Sequence, residues 1–108
     1  MHEQNAKYQL TAVSLYNDFD ADEEKANKIY LNQVLEVTGV LVNSQTSDNS
    51  NPILELETAG FGVINITMAG ANELDGIELK EGQMVTVKGE CIGLLLDVLI
   101  SNAIIVKY

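Results

Sequence analysis

Along residues 10–19 the apolar side chains Ala12, Leu15, Tyr16 and Phe19 recur at i, i+3, i+4 and i+7, one face of a helix whose other face is polar. Thr11 stands where an N-cap belongs. A second start signal follows, because Asp20 and Glu23 have capping-box spacing and Ala26, Ile29 and Tyr30 continue an apolar stripe. The pattern predicts two short helices, or one kinked helix, over residues 11–30, with Leu15, Tyr16 and Phe19 buried. Residues 1–9 carry no such pattern and are expected to form a mobile tail.

Beyond Gln33 the period changes to two and β-branched residues accumulate: Val34, Val37, Val40 and Val42 lie in a run interrupted by Gly39. This predicts a long strand over 33–43, with Gly39 read as a bulge or bend. Residues 43–52 are turn chemistry and read as a loop: Asn43, Ser44, Ser47, Asp48, Asn49, Ser50 and Asn51 offer nothing to a core. Strands over 52–58 and 62–68 then form a hairpin around Gly60 and Gly62, turning Leu54, Leu56, Ile64, Ile66 and Met68 inward. A connector over 69–82 carries a helical turn around 71–74 and turns at Asp75-Gly76 and Glu81-Gly82. Val85 and Val87 alternate with Thr86 and Lys88 in a strand over 83–91, and after a turn at Gly93 a last strand covers 95–107.

Three strands, a connector and two strands is the order of the five-stranded OB-fold Greek-key barrel, here all-β with an N-terminal helical segment. An SH3-like barrel is the alternative. Val37, Leu54, Leu56, Ile64, Ile66, Val85, Val87 and Val98 are expected inside it. At 108 residues there is room for a single core, so 10–108 reads as one domain.

Four stretches also resemble the bacterial tRNA_anti-like family: residues 26–31 (Ala-Asn-Lys-Ile-Tyr-Leu), 34–39 (Val-Leu-Glu-Val-Thr-Gly), 82–91 (Gly-Gln-Met-Val-Thr-Val-Lys-Gly-Glu-Cys) and 93–98 (Gly-Leu-Leu-Leu-Asp-Val). The most specific piece is Cys91-x-Gly93-x-Leu95-x-Asp97-Val98, and the resemblance runs from about Leu10 to the C-terminus. It implies an OB-fold. The family's name is an analogy of fold with the anticodon-binding domain of tRNA ligases, so it carries no activity and no binding residues to this chain. Members often have an N-terminal anchor or leader; if one preceded this sequence, the native location would be exported or membrane-anchored. The native compartment is otherwise open, and residues 1–9 lack the apolar core of a signal peptide.

Charge narrows the partners. Sixteen acids face six basic residues, all of them lysine, for a net charge of -10, and that field repels phosphate. Nucleic acid is therefore not the expected partner, and a soluble chain without an apolar span of membrane length makes no membrane contact as given. The chemistry of sites is equally sparse. One histidine, His2, and one cysteine, Cys91, cannot build a zinc site, a disulfide or a nucleophile–histidine pair, so no catalytic residue, metal or cofactor is expected. Asp18, Asp20 and Asp22 imitate the start of a calcium loop, yet Glu23 and Ile29 stand where that loop needs glycine and glutamate. Cys91 has no cationic neighbour and reads as a small core residue.

What remains is a non-enzymatic binding or interaction module. Alternation turns Ile53, Glu55, Glu57, Val63, Asn65 and Thr67 outward on the second and third strands, a polar, acidic face. Glu55 and Glu57 share that face without any sign of a closed pocket, so they read as solvated carboxylates. Phe61, in the turn, is the one candidate for base stacking and could equally cover the barrel end. Asp97, inside an apolar run, is expected to accept backbone hydrogen bonds at the loop between the fourth and fifth strands. The candidate ligand face is thus Glu55, Glu57, Phe61, Asn65, Thr67 and Asp97. The partner expected is a protein or another ligand poor in phosphate, with single-stranded nucleic acid or tRNA as the alternative.

Overall fold

The computed structural model describes residues 6–46 and 50–108. His2, most of the N-terminal tail, and Ser47, Asp48 and Asn49 of the expected loop lie outside the described residues. The element order is β1 (Tyr8–Thr11), α1 (Ala12–Ala21), α2 (Glu23–Tyr30), β2 (Val34–Gln45), β3 (Ile53–Leu56), β4 (Ile64–Met68), β5 (Met84–Leu95) and β6 (Asp97–Lys107). The sheet runs β1-β2-β3-β4-β6-β5, and an added β2–β5 pairing closes the last five strands into a barrel. Only β4–β6, within the barrel, and the outlying β1–β2 are parallel; the other pairs are antiparallel. This is the OB topology, not the SH3-like alternative.

β2 makes the closure possible because it is long enough to be shared. Val34 to Val40 pair with β5, and Leu41 to Gln45 pair with β3, with a register shift between Leu41 and Asn43. The irregularity therefore falls two to four residues later than the expected bulge at Gly39, which stays in register opposite Val85. Gly39 is glycine for a different reason: a Cβ there would lie 2.8 Å from the Ala12 Cβ and 3.3 Å from Leu56. The first residue of α1 thus sits directly on the inner surface of β2. β2 also runs on through Gln45, three residues into the stretch read as loop, because its pairing with β3 continues there.

Two further expectations are corrected at the N-terminus. Residues 8 and 9, read as tail, belong to β1, whose four residues pair in parallel with Leu35 to Thr38. That strand is too short to show a period of its own, and its bonds come from a partner 27 residues away. The second helix is capped by Asp22, whose carboxylate accepts from the Lys25 backbone N–H at 3.1 Å, and not by Asp20. Thr11 caps α1 as expected, accepting from Ser14 N–H at 3.1 Å. Residues 71–76 form turns instead of a helix, so in this barrel the packed helices are the N-terminal ones.

All eight side chains expected inside the barrel are buried, together with Leu35, Leu41, Met68, Cys91, Ile100 and Ala103. Leu15, Tyr16 and Phe19 of α1 complete the same core. Tyr30 ties the helices to the sheet: its ring packs edge-on against Tyr8 at 5.4 Å and tilted against Phe19 at 6.0 Å, and its hydroxyl donates to Asp18 at 2.6 Å. Phe19→Ala removes a fully buried ring from this junction. It should cost about 3–5 kcal/mol in urea unfolding, and a loss below about 1 kcal/mol would show α1 to be only loosely docked.

Candidate functional site

The outward face of β3 and β4 places three of the candidate residues side by side. Glu55 pairs across the strands with Asn43 on one side and Asn65 on the other, and Asn65 in turn with Leu99 of β6. The Glu55 carboxylate accepts from the Asn43 amide at 3.2 Å. Thr67 lies opposite Ile53 on the same face. Glu57 stands one residue beyond β3, exposed, its backbone N–H held by the Val40 carbonyl at 2.8 Å. The flank is therefore a polar, half-buried strip with an acid at its centre and no lysine on either strand.

Phe61 and Asp97 belong elsewhere. The parallel pairing of β4 with β6 starts both strands at one end of the barrel, so the β3–β4 turn and the β5–β6 turn meet there. Asp97 joins them, but across the two turns and not within its own loop as expected: its carboxylate accepts from the Val63 backbone N–H at 3.0 Å. The Val98 N–H bonds the Val63 carbonyl at 3.2 Å. Tyr16 of α1 braces the same junction, its hydroxyl accepting from the Gly62 N–H at 3.2 Å. Gly62 is confined to glycine because a Cβ would come within 2.7 Å of the Leu96 carbonyl and 3.0 Å of the Tyr16 ring. Phe61, one residue before this pinned point, covers nothing; its ring is wholly exposed.

Beside it stand two residues that pattern reasoning placed in the run into the last strand. Leu95 and Leu96 are 74% and 89% exposed at the β5–β6 turn, and Leu96 has φ +66°. A signal for them existed: alternation cannot bury three consecutive leucines, 94 to 96, at a hairpin end.

At the opposite end, an open groove of about 900 Å³ lies between Ser44, Thr46 and Pro52 on one side and residues 71–79 of the connector on the other. Asp75 and Glu78 line it, so its character is polar and acidic. Among the described residues no three His, Cys, Asp or Glu side chains converge as a metal site would require, and no helix is long and apolar enough to cross a membrane.

The Cys91 thiol is fully buried in the core. Burial pushes its pKa up from 9.0 to about 11, against a lowering hydrogen bond with the Gly93 backbone and with a further rise from the Glu90 charge. The native state therefore holds the proton more tightly than the unfolded chain does.

The chain matches the tRNA_anti-like family over residues 1–105. No protein with a curated description matches it. Among solved structures it is similar to a lipoprotein of Klebsiella pneumoniae subsp. pneumoniae described as a candidate nucleic acid-binding protein, at a TM-score of 0.75 and 19% identity, over 96% of this chain and 100% of that one. At that identity the likeness is one of fold.

Three outcomes follow from this geometry. Because the folded thiol pKa is raised, its contribution to stability is fully present below about pH 9 and is lost as pH rises through about 11. Urea midpoints measured from pH 8 to 11 should fall over that window and fall less in Cys91→Ala, and a thiol reagent should label Cys91 slowly until urea unfolds the chain. Asp97→Ala should leave the Val63 N–H without its partner and cost about 1–3 kcal/mol; an unchanged urea midpoint would show that the two turns do not depend on this carboxylate.

Proposed function

Since the chain belongs to the tRNA_anti-like family and has its OB barrel, we propose that it is a non-enzymatic binding module whose partner is a protein, or another ligand poor in phosphate, and not a nucleic acid. The observation that carries this reading is the distribution of cations. Between Lys28 and Lys80 there is no lysine or arginine, and that stretch holds β2, β3, β4 and the turns that join them. It does hold Glu36, Glu55, Glu57, Glu73, Asp75 and Glu78. A barrel that tracks a single strand needs a cationic groove along the backbone together with aromatic platforms for the bases. The flank of β3 and β4 offers an Asn43–Glu55 hydrogen bond in that place.

The competing reading is single-stranded nucleic acid. It draws on the family's name, on the description of the Klebsiella protein, and on Phe61, whose free ring could stack on a base. One stacked base contributes about 1–3 kcal/mol, too little for useful affinity without phosphate neutralisation. An enzyme is the weakest reading, since the one thiol is buried and protonated.

Fluorescence anisotropy with mixed-sequence single-stranded DNA, RNA and tRNA decides between the first two. We expect no saturable binding below about 100 μM at physiological salt, the weak limit of ordinary non-specific binding. A micromolar isotherm that weakens as salt rises would overturn the proposal and establish nucleic-acid binding.

A further inference from the structure

We infer that the barrel end where the β3–β4 and β5–β6 turns meet is a docking surface for a short segment of a partner protein that combines aliphatic or aromatic side chains with lysine or arginine. The inference rests on the protein-partner reading above and adds where the partner sits and what it presents.

The apolar half of the argument is exposure at a rigid place. Phe61, Leu95 and Leu96 together present on the order of 400–500 Å² of apolar side chain, the size of the largest patch on a typical monomer and often a functional one. These are not loose tips. The Asp97–Val63, Val98–Val63 and Tyr16–Gly62 bonds hold the two turns against each other and against α1. Leu96 keeps a large side chain in the left-handed region, where asparagine or glycine would be less strained.

The charged half sets the partner's sign. The segments 58–63 and 91–96 carry no charge of either kind, and cations are absent from residues 29–79 and again from 89–106. At the two turns stand Glu57, one residue past β3, and Asp97, and Asp20 lies one turn beyond Tyr16 on α1; Lys28 follows Asn27, whose side chain lies by Gly93 of β5. With three acids to one lysine around it, this apolar end suits an apolar segment with cationic flanks.

Other occupants fit less well. A second copy would bring another -10 charges against the same end. The patch also falls short of the roughly 800 Å² per partner that a stable interface buries. A bilayer would be met by roughly the apolar surface of one acyl chain, which by itself binds membranes only marginally, and the acids at these turns add no attraction to anionic lipid.

The test pans a phage-displayed library of short random peptides on the full chain and then titrates the recovered peptides, by anisotropy, against the wild-type chain and the variants Phe61→Ser and Leu96→Asn. Asparagine suits the backbone at 96, so the urea midpoint of Leu96→Asn should equal or exceed that of the wild type and folding does not confound the result. Recovered peptides should pair lysine or arginine with aliphatic or aromatic residues, bind more weakly as salt rises, and lose about tenfold or more in affinity to each variant. Peptides that bind both variants as well as the wild type would overturn this surface while leaving the protein-binding reading in place. Recovery of no peptide, with single-stranded oligonucleotide bound through Phe61, would overturn both. Flotation of the chain with phosphatidylcholine vesicles, lost in Leu96→Asn, would overturn the inference in favour of a bilayer.

Discussion

The barrel depends on β2 being bonded to three strands at once. One edge of it is taken by β5, and the other is divided between β1 in its first half and β3 in its second. A buried backbone leaves no N–H or C=O unpaired without cost, so a strand of twelve residues, bonded on both edges from Leu35 to Thr38 and by β3 beyond Leu41, fixes where its neighbours lie. The shift near Val42 lets β2 leave the plane of β5 and β1 and enter that of β3. Because β1 follows β2 in parallel, α1 emerges at Gly39 and lays Ala12, Leu15, Tyr16 and Phe19 into the core. Tyr16 reaches from there to the β3–β4 turn, and through it the helix helps set the geometry of the exposed tips.

The two ends of this barrel are chemically unlike. One carries a polar groove with Asp75 and Glu78 on its connector wall. The other carries Phe61, Leu95 and Leu96 on turns cross-braced by backbone and carboxylate bonds. The flank between them has Glu55 engaged with Asn43. An OB barrel that reads nucleic acid needs cations along this flank, and the fold alone does not supply them. Fold kinship with a candidate nucleic acid-binding lipoprotein and the electrostatics of this particular surface are therefore separate facts, and the second bears more directly on what the chain can hold.

Local pattern and long-range pairing divide the structure between them. The helical stripe of Leu15, Tyr16 and Phe19, the alternation of Leu54 and Leu56, Ile64 and Ile66, Val85 and Val87, and the five strands of the barrel were all legible in the residues, because periods of 3.6 and 2 are properties of neighbouring positions. So was the burial of Cys91. That the chain holds one histidine and one cysteine is likewise a matter of composition. Only the tertiary structure decided that Tyr8–Thr11 is a strand, that Gly39 admits Ala12 in place of a bulge, and that Asp97 bonds Val63 across two turns. It also separated Glu55, Asn65 and Thr67 from Phe61, and set Phe61 beside Leu95 and Leu96. Each of these is a contact between residues far apart in the chain, set by strand register and barrel closure, and neither leaves a mark in the local order of apolar and polar positions.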